Sequence, residues 1–331
     1  MSKLMLIAGG STGVYACLAV LMGVLPGIDQ SRVPPGPGVQ PLSALEAEGR
    51  QVYVANGCSY CHTQQVRPLN QDKVFGRPSA PGDFAYQTPE LLGSERTGPD
   101  LTNIGARQPS EVWQYIHLYN PRGVVPESMM PAFDWLFKVV AEAPADQNPV
   151  PVPKAYAPAR GVIVPTHEAR ALVAYLASLK QPPIPGFDSG GVAGQAASAK
   201  ATSAAVAGTA SGSGDSAQPS YDAAKGQALF TANCSACHQA SGEGLPGAFP
   251  PLKGSAAVNT DDAANQLDVV LHGQQGAKVG GVVYASAMPP FAATLSDADI
   301  ANIVDYERSS WGNHGKLVTA AQVAAGRSNS K

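Results

Sequence analysis

The sequence is short of charge. Asp, Glu, Lys and Arg make up 14% of it and the net charge is −3. A nucleic-acid binder needs a basic surface, so that class is set aside. Aromatic residues are scarce at 7%, while glycine (35) and proline (29) are plentiful. That balance fits small, loop-rich domains joined by spacers better than one large core. Only five cysteines are present. Four stand in two short clusters and the fifth, Cys17, lies in an apolar run, so nothing is left for a disulfide framework. Beyond the first cluster the only methionines are Met129, Met130 and Met288.

The two clusters are Cys58-Ser-Tyr-Cys61-His62 and Cys234-Ser-Ala-Cys237-His238. Cys-x-x-Cys-His is the pattern for covalent attachment of a c-type haem: the thiols take the vinyl groups and the histidine is placed to bind the iron. Two Cys-x-x-Cys pairs also suggest a four-thiolate zinc site. Against zinc, the pairs are far apart in sequence and each runs directly into a histidine. Each is also followed by a Met-Pro, Met130-Pro131 and Met288-Pro289, and then by a closing helix. That order resembles the plan of class I cytochromes c. The expected iron ligands are His62 with Met130 and His238 with Met288, Met129 being the alternative at the first site. A soft thioether favours ferrous iron, and six-coordinate iron has no place for a substrate. Both suit electron transfer rather than catalysis.

The four other histidines, His117, His167, His272 and His314, are scattered. With a single apolar run they cannot build an oxygen-reducing centre, so such chemistry belongs to a partner. A structural hydrogen bond is expected for His117 and an exposed position for His167, while His314 lies in the tail. Arg67 and Arg122 are candidates to pair with haem propionates.

The fold class expected is mainly α: an N-terminal transmembrane helix, then two cytochrome c-like haem domains joined by a flexible linker. Leu4 to Leu25 carries no charge and as a helix would span about 33 Å, enough for a bilayer; Pro26 and Gly27 are expected to end it. A cleaved signal peptide is the competing reading, but the run is long for one and no clear small-x-small cleavage site follows. The anchor is assigned to residues 1–29. The first domain covers 30–185. In it Ser43 and Glu46 predict a capping box, Ser110 starts a short helix, residues 141–165 read as Pro-rich and irregular, and Thr166 caps a helix with Leu172, Leu176 and Leu179 on one face. Residues 186–220 are Ala/Gly/Ser-rich and read as the linker, with a random-coil reach of about 30–35 Å. The second domain covers 221–312, closing with a helix capped by Ser296, and 313–331 reads as a disordered tail.

Several segments carry a family resemblance. Glu48 to Pro68, Gly82-Asp-Phe-Ala-Tyr86, Leu91 to Leu101, His117-Leu-Tyr-Asn-Pro-Arg122 and Ser128-Met-Met-Pro-Ala-Phe-Asp-Trp-Leu136 closely resemble the membrane-anchored mono-haem subunit of cbb3-type cytochrome c oxidases. The resemblance covers residues 1 to about 137. It places the axial methionine at Met130 and implies a membrane partner, the catalytic haem-copper subunit. It also implies a calcium ion near the haem propionates, with Ser94 as the candidate ligand. The sequence departs from that family after residue 137 and in its second domain, which resembles widespread class I cytochromes c. The implied function is a dihaem subunit, with two haem c groups, in the bacterial cytoplasmic membrane. It would pass electrons from a periplasmic donor, a soluble cytochrome c or a quinol-oxidising complex, to the catalytic subunit. The alternatives are a tethered periplasmic shuttle and the c-type subunit of a nitric oxide reductase.

Overall fold

A computed structural model describes residues 2–182, 221–284, 286–292 and 294–328. The proposed linker, 186–220, lies outside the described residues. The N-terminal run forms α1 (Ser2–Ala19), a π-helical turn (Val20–Val24) and α2 (Leu25–Gln30). Together these make an apolar helix from Lys3 to Gln30, long enough to cross a membrane, with none of its apolar window buried. Pro26 does not end the helix, contrary to expectation. The Leu25 N–H reaches back to the Val20 carbonyl, and this wider turn lets the chain pass a residue that has no N–H to donate.

The first haem-motif region is framed by two helices. The chain enters α3 (Ala44–Ala55) through the expected capping box: the Ser43 N–H donates to Glu46 Oε2 at 2.7 Å, and the Ser43 hydroxyl accepts from the Glu46 N–H. A single turn, α4 (Cys58–Cys61), carries the first motif. Then follow α5 (Ile104–Arg107) and α6 (Glu111–Tyr119), the latter capped by Ser110. Strand β1 (Phe137–Val140) pairs antiparallel with β2 (Val162–Pro165). The stretch expected to be irregular is therefore partly a strand, because its Val-Ile-Val run buries Ile163 and Val164. Helix α7 (His167–Ser178), capped by Thr166, closes the domain across α3. Its Leu172 and Leu176 and the following Leu179 are buried, as the stripe predicted. At the crossing Gly49 lies against Ala171 and Tyr175, and Tyr175 meets Tyr53 edge-on at 5.6 Å.

The second region repeats this frame. Helix α8 (Ala223–Asn233), capped by Asp222, leads into α9 (Ser235–His238), which carries the second motif. Helix α10 (Ala264–His272) follows, then a small hairpin of β3 (Ala277–Val279) and β4 (Val282–Tyr284). Helix α11 (Asp297–Ser309), capped by Ser296, crosses α8, where Gly226 lies against Asn302 and Tyr306. In each region a glycine in the entering helix admits the backbone of the closing helix, with an aromatic one turn later beside it.

The tail does not trail off as expected. Asn313 is buried, donating to the Leu252 and Glu307 carbonyls at 3.1 and 2.8 Å. Arg308 holds the Lys316 carbonyl at 2.6 Å. The chain then forms α12 (Ala320–Ser328), with Val318 and Val323 buried. Arg327 returns to Asp297. The Asn313–Leu252 and Arg327–Asp297 contacts join residues 61 and 30 positions apart, which the local composition of the tail does not signal.

Candidate haem-attachment sites

The loop from Leu91 to Leu101 wraps the first motif. Its backbone N–H groups at Ser94, Gly98 and Leu101 donate to the carbonyls of Ser59, Cys61 and Thr63 at 3.1, 2.9 and 2.8 Å. Two glycines make this approach possible. A Cβ on Gly93, where φ is +86°, would sit 2.6 Å from Thr63 Cα, and one on Gly98 would sit 2.7 Å from His62 Nδ1. Asp100, fully buried, ties the two strands of loop together. It accepts from Thr63 Oγ1 at 2.6 Å, Gln65 N at 2.9 Å and Thr102 N at 2.8 Å. Sequence reasoning did not single it out, although Gly98-Pro-Asp100 directly precedes the turn it organises.

The same bond orients both motif histidines. His62 Nδ1 lies 2.8 Å from the Pro99 carbonyl, and His238 Nδ1 lies 2.9 Å from the Pro250 carbonyl. A carbonyl oxygen only accepts, so each Nδ1 carries the hydrogen and each Nε2 keeps its lone pair for a metal. Burial lowers the pKa of both rings, which favours the neutral, ligating form. Burial also pushes the Cys58 thiol up to about 11 and that of Cys237 to about 12, and raises Cys234.

Around the second motif Cys234, Cys237, His238 and Met288 all line one cavity of about 230 Å³, together with Phe249, Phe291 and Glu307. The Met288 backbone is fixed by a reciprocal pair of hydrogen bonds with Gln274, at 2.8 and 3.1 Å. Cys58 and Met130 both pack on the apolar core that holds Tyr53 and Trp113. Cys61 is exposed and His62 partly buried. Met129 points away, 76% exposed.

The remaining singled-out residues fall elsewhere. Arg67 is held by Asp72 at 2.9 Å, and the Arg122 guanidinium lies 3.5 Å from the Met130 carbonyl. His117 makes no hydrogen bond through Nδ1, against expectation; its ring stacks on Trp113 at 4.6 Å instead. His167 meets Glu48 at 2.6 Å and His272 meets Asp268 at 3.0 Å. Among the described residues no group of three or more His, Cys, Asp or Glu is gathered to hold a metal. The four thiols thus do not converge as zinc requires, and nothing supports a calcium site at Ser94.

Comparison with known proteins decides the family. Cytochrome c-552 of Thermus thermophilus is 38% identical over 94 residues, which cover 71% of that protein and 27% of this chain. The chain belongs to the cytochrome c family. Residues 5–152 match the family described as cytochrome c oxidase, mono-haem subunit/FixO, and residues 223–311 match cytochrome c. This c-type cytochrome therefore joins a domain of the oxidase mono-haem subunit type to a C-terminal cytochrome c domain, as the resemblance implied. Such domains carry covalently bound haem c and transfer electrons. The cytochrome c subunit of the quinone alcohol dehydrogenase of Gluconobacter oxydans is 37% identical over 89 residues. The match spans only 19% of that subunit and 27% of this chain. The cbb3-type oxidase subunit FixP of Azorhizobium caulinodans is 35% identical over 86 residues, 28% of its length and 26% of this chain.

Proposed function

We propose that this cytochrome carries two haem c groups and serves as an electron-transfer subunit of a cbb3-type oxidase, anchored in the bacterial cytoplasmic membrane with both domains in the periplasm. Bound haem would supply one-electron exchange at iron, from a periplasmic donor by way of the second domain to the first and on to the catalytic haem-copper subunit. Cys58 and Cys61, and Cys234 and Cys237, would each add S and H across a vinyl group. His62 and His238 present Nε2 because proline carbonyls hold their Nδ1–H. Met130 and Met288 offer the second ligand, and the exposure of Met129 favours Met130. The domain boundaries proposed are 30–185 and 221 to the end of α12, with 186–220 as the connector.

The observation that carries this reading is the paired histidine–proline geometry, with Met288 lining the cavity of the second motif, in a chain whose residues 5–152 match the oxidase subunit family. Detergent purification of the native complex with subunit identification and a pyridine haemochrome count tests it. Two haems c per chain and a co-purifying haem-copper subunit are expected; one haem, or a different partner, overturns it. Met130→Leu should keep haem attached and abolish the sulfur-ligation band of the first haem, while Met129→Leu leaves it. The reverse result reassigns the ligand. The likeness to dehydrogenase cytochrome subunits supports a second reading, a tethered shuttle, which predicts purification without any haem-copper subunit.

A further inference from the structure

The cavity of the second motif is not walled by the second region alone. Arg107 and Gln108, from the end of α5 in the first domain, line it as well. Gln108 Nε2 approaches Cys237 Sγ to 4.0 Å. Trp113 of α6 donates its indole N–H to the Ala236 carbonyl, between the two cysteines, at 3.2 Å. Beside these polar contacts, Leu245, Ala248 and Phe249 are buried in the same core cluster as Trp113. On its other side Trp113 stacks with the His117 ring at an interplanar angle of 12°. Arg107 also reaches the Asp100 carbonyl, and Asp100 is the residue that organises the first motif. The Arg107 Nε is buried with no hydrogen-bond partner.

We propose that the two cytochrome domains dock on each other through this face, with Arg107 and Gln108 completing the second haem cavity and Trp113 joining the surroundings of the two motifs. The proposal rests on reading both motifs as haem sites. Covalent connection makes a modest face sufficient, since a tether gives an effective concentration of about millimolar. An apolar patch rimmed by a few directed hydrogen bonds suits such an interface. While docked, the side of the second domain bearing Ala236 and Phe249 is closed to outside donors, which must approach elsewhere.

The decisive test uses the haem-loaded full chain. Arg107→Gln removes a cation from the first domain. If the domains dock, it lowers the midpoint potential of the second haem, identified as the one whose sulfur signature Met288→Leu removes. An undocked second domain lies beyond the screening length, and its potential stays put. An unmoved second haem overturns the proposal. Hydrogen exchange supplies a readout independent of the haems: Trp113→Phe keeps an aromatic ring, though a smaller one, and loses the N–H, and amides 235–249 should exchange at least severalfold faster while those of α11 do not change. Equal exchange in the two proteins also overturns it. If the haemochrome count shows a single haem, the two-haem reading fails, and the exchange result still decides docking.

Discussion

Replacing Gly226 by alanine sets two known effects against each other, and the structure says which wins. Alanine is favoured over glycine inside a helix by about 1 kcal/mol, so on propensity alone Gly226→Ala in α8 should stabilise. At the crossing with α11, however, the new Cβ would lie 2.5 Å from the Asn302 carbonyl oxygen and 3.0 Å from Tyr306 Cβ. Ordinary contact begins near 3.4 Å, so the two backbones must part by 3.4 − 2.5, or about 0.9 Å. Neither offending atom can turn away: one is backbone and the other is fixed to it. Overpacking of this kind costs about 1–3 kcal/mol, occasionally more. Parting the helices also loosens Phe230, Ile300 and Ile303, all buried. The net expectation is a loss of up to about 2 kcal/mol. For a domain of this size that is a fall in Tm of up to roughly 16 °C. Thermal unfolding of the haem-loaded protein, followed by circular dichroism and the haem band, measures it. Ala228→Gly, on the exposed face of the same helix, calibrates propensity alone. If Gly226→Ala raises Tm by as much as Ala228→Gly lowers it, the close crossing does not exist and the argument fails. Gly49→Ala should be worse, because its Cβ would fall inside the Ala171 carbonyl group.

Two further outcomes follow from the second region. Burial pushes Glu307 up to about 7 and Asp305 to about 6, from ordinary values of 4.5 and 3.8. The folded state therefore holds these protons more tightly than the unfolded chain, and stability is greatest below the ordinary carboxylate values and falls as pH rises through about 6 to 7. For Glu307, which is 4% exposed, the effect is at most roughly 3 kcal/mol. Denaturant titrations between pH 5 and 8 should show the decline, and Glu307→Gln should flatten it while still accepting from Gln266; a second-domain stability that climbs over this range contradicts the assignment. Arg327→Ala should free α12 from Asp297 and the Leu295 carbonyl at a cost of about 1 kcal/mol, seen as faster proteolysis after residue 316 with the haem band unchanged. A tail no more sensitive than the wild type would show that Val318 and Val323 suffice.

What the sequence disclosed and what it hid divide along one physical line. A capping box at Ser43, an N-cap at Thr166 or Ser296, and a Cys-x-x-Cys-His are complete within about five residues, so their chemistry is legible without knowing the fold. The family's ordered segments extended that reach across the first domain. Gly49 and Gly226 look like poor helix residues until the partner helix is known; only then is the absence of a side chain a packing requirement. Asp100 draws donors from Thr63, Gln65 and Thr102, and no local pattern announces partners from residues 63 and 65. The tail misled for the same reason. Its own composition is weak, and what orders it is Asn313 meeting the Leu252 carbonyl, 61 positions earlier, and Arg308 holding the Lys316 carbonyl. Trp113 is the sharpest case. A tryptophan on an amphipathic turn reads as core, and one face of it is core. Its N–H, though, is satisfied by Ala236, a residue 123 positions away. A buried indole needs an acceptor, so for Trp113 the question of where that hydrogen goes is what leads from one motif to the other.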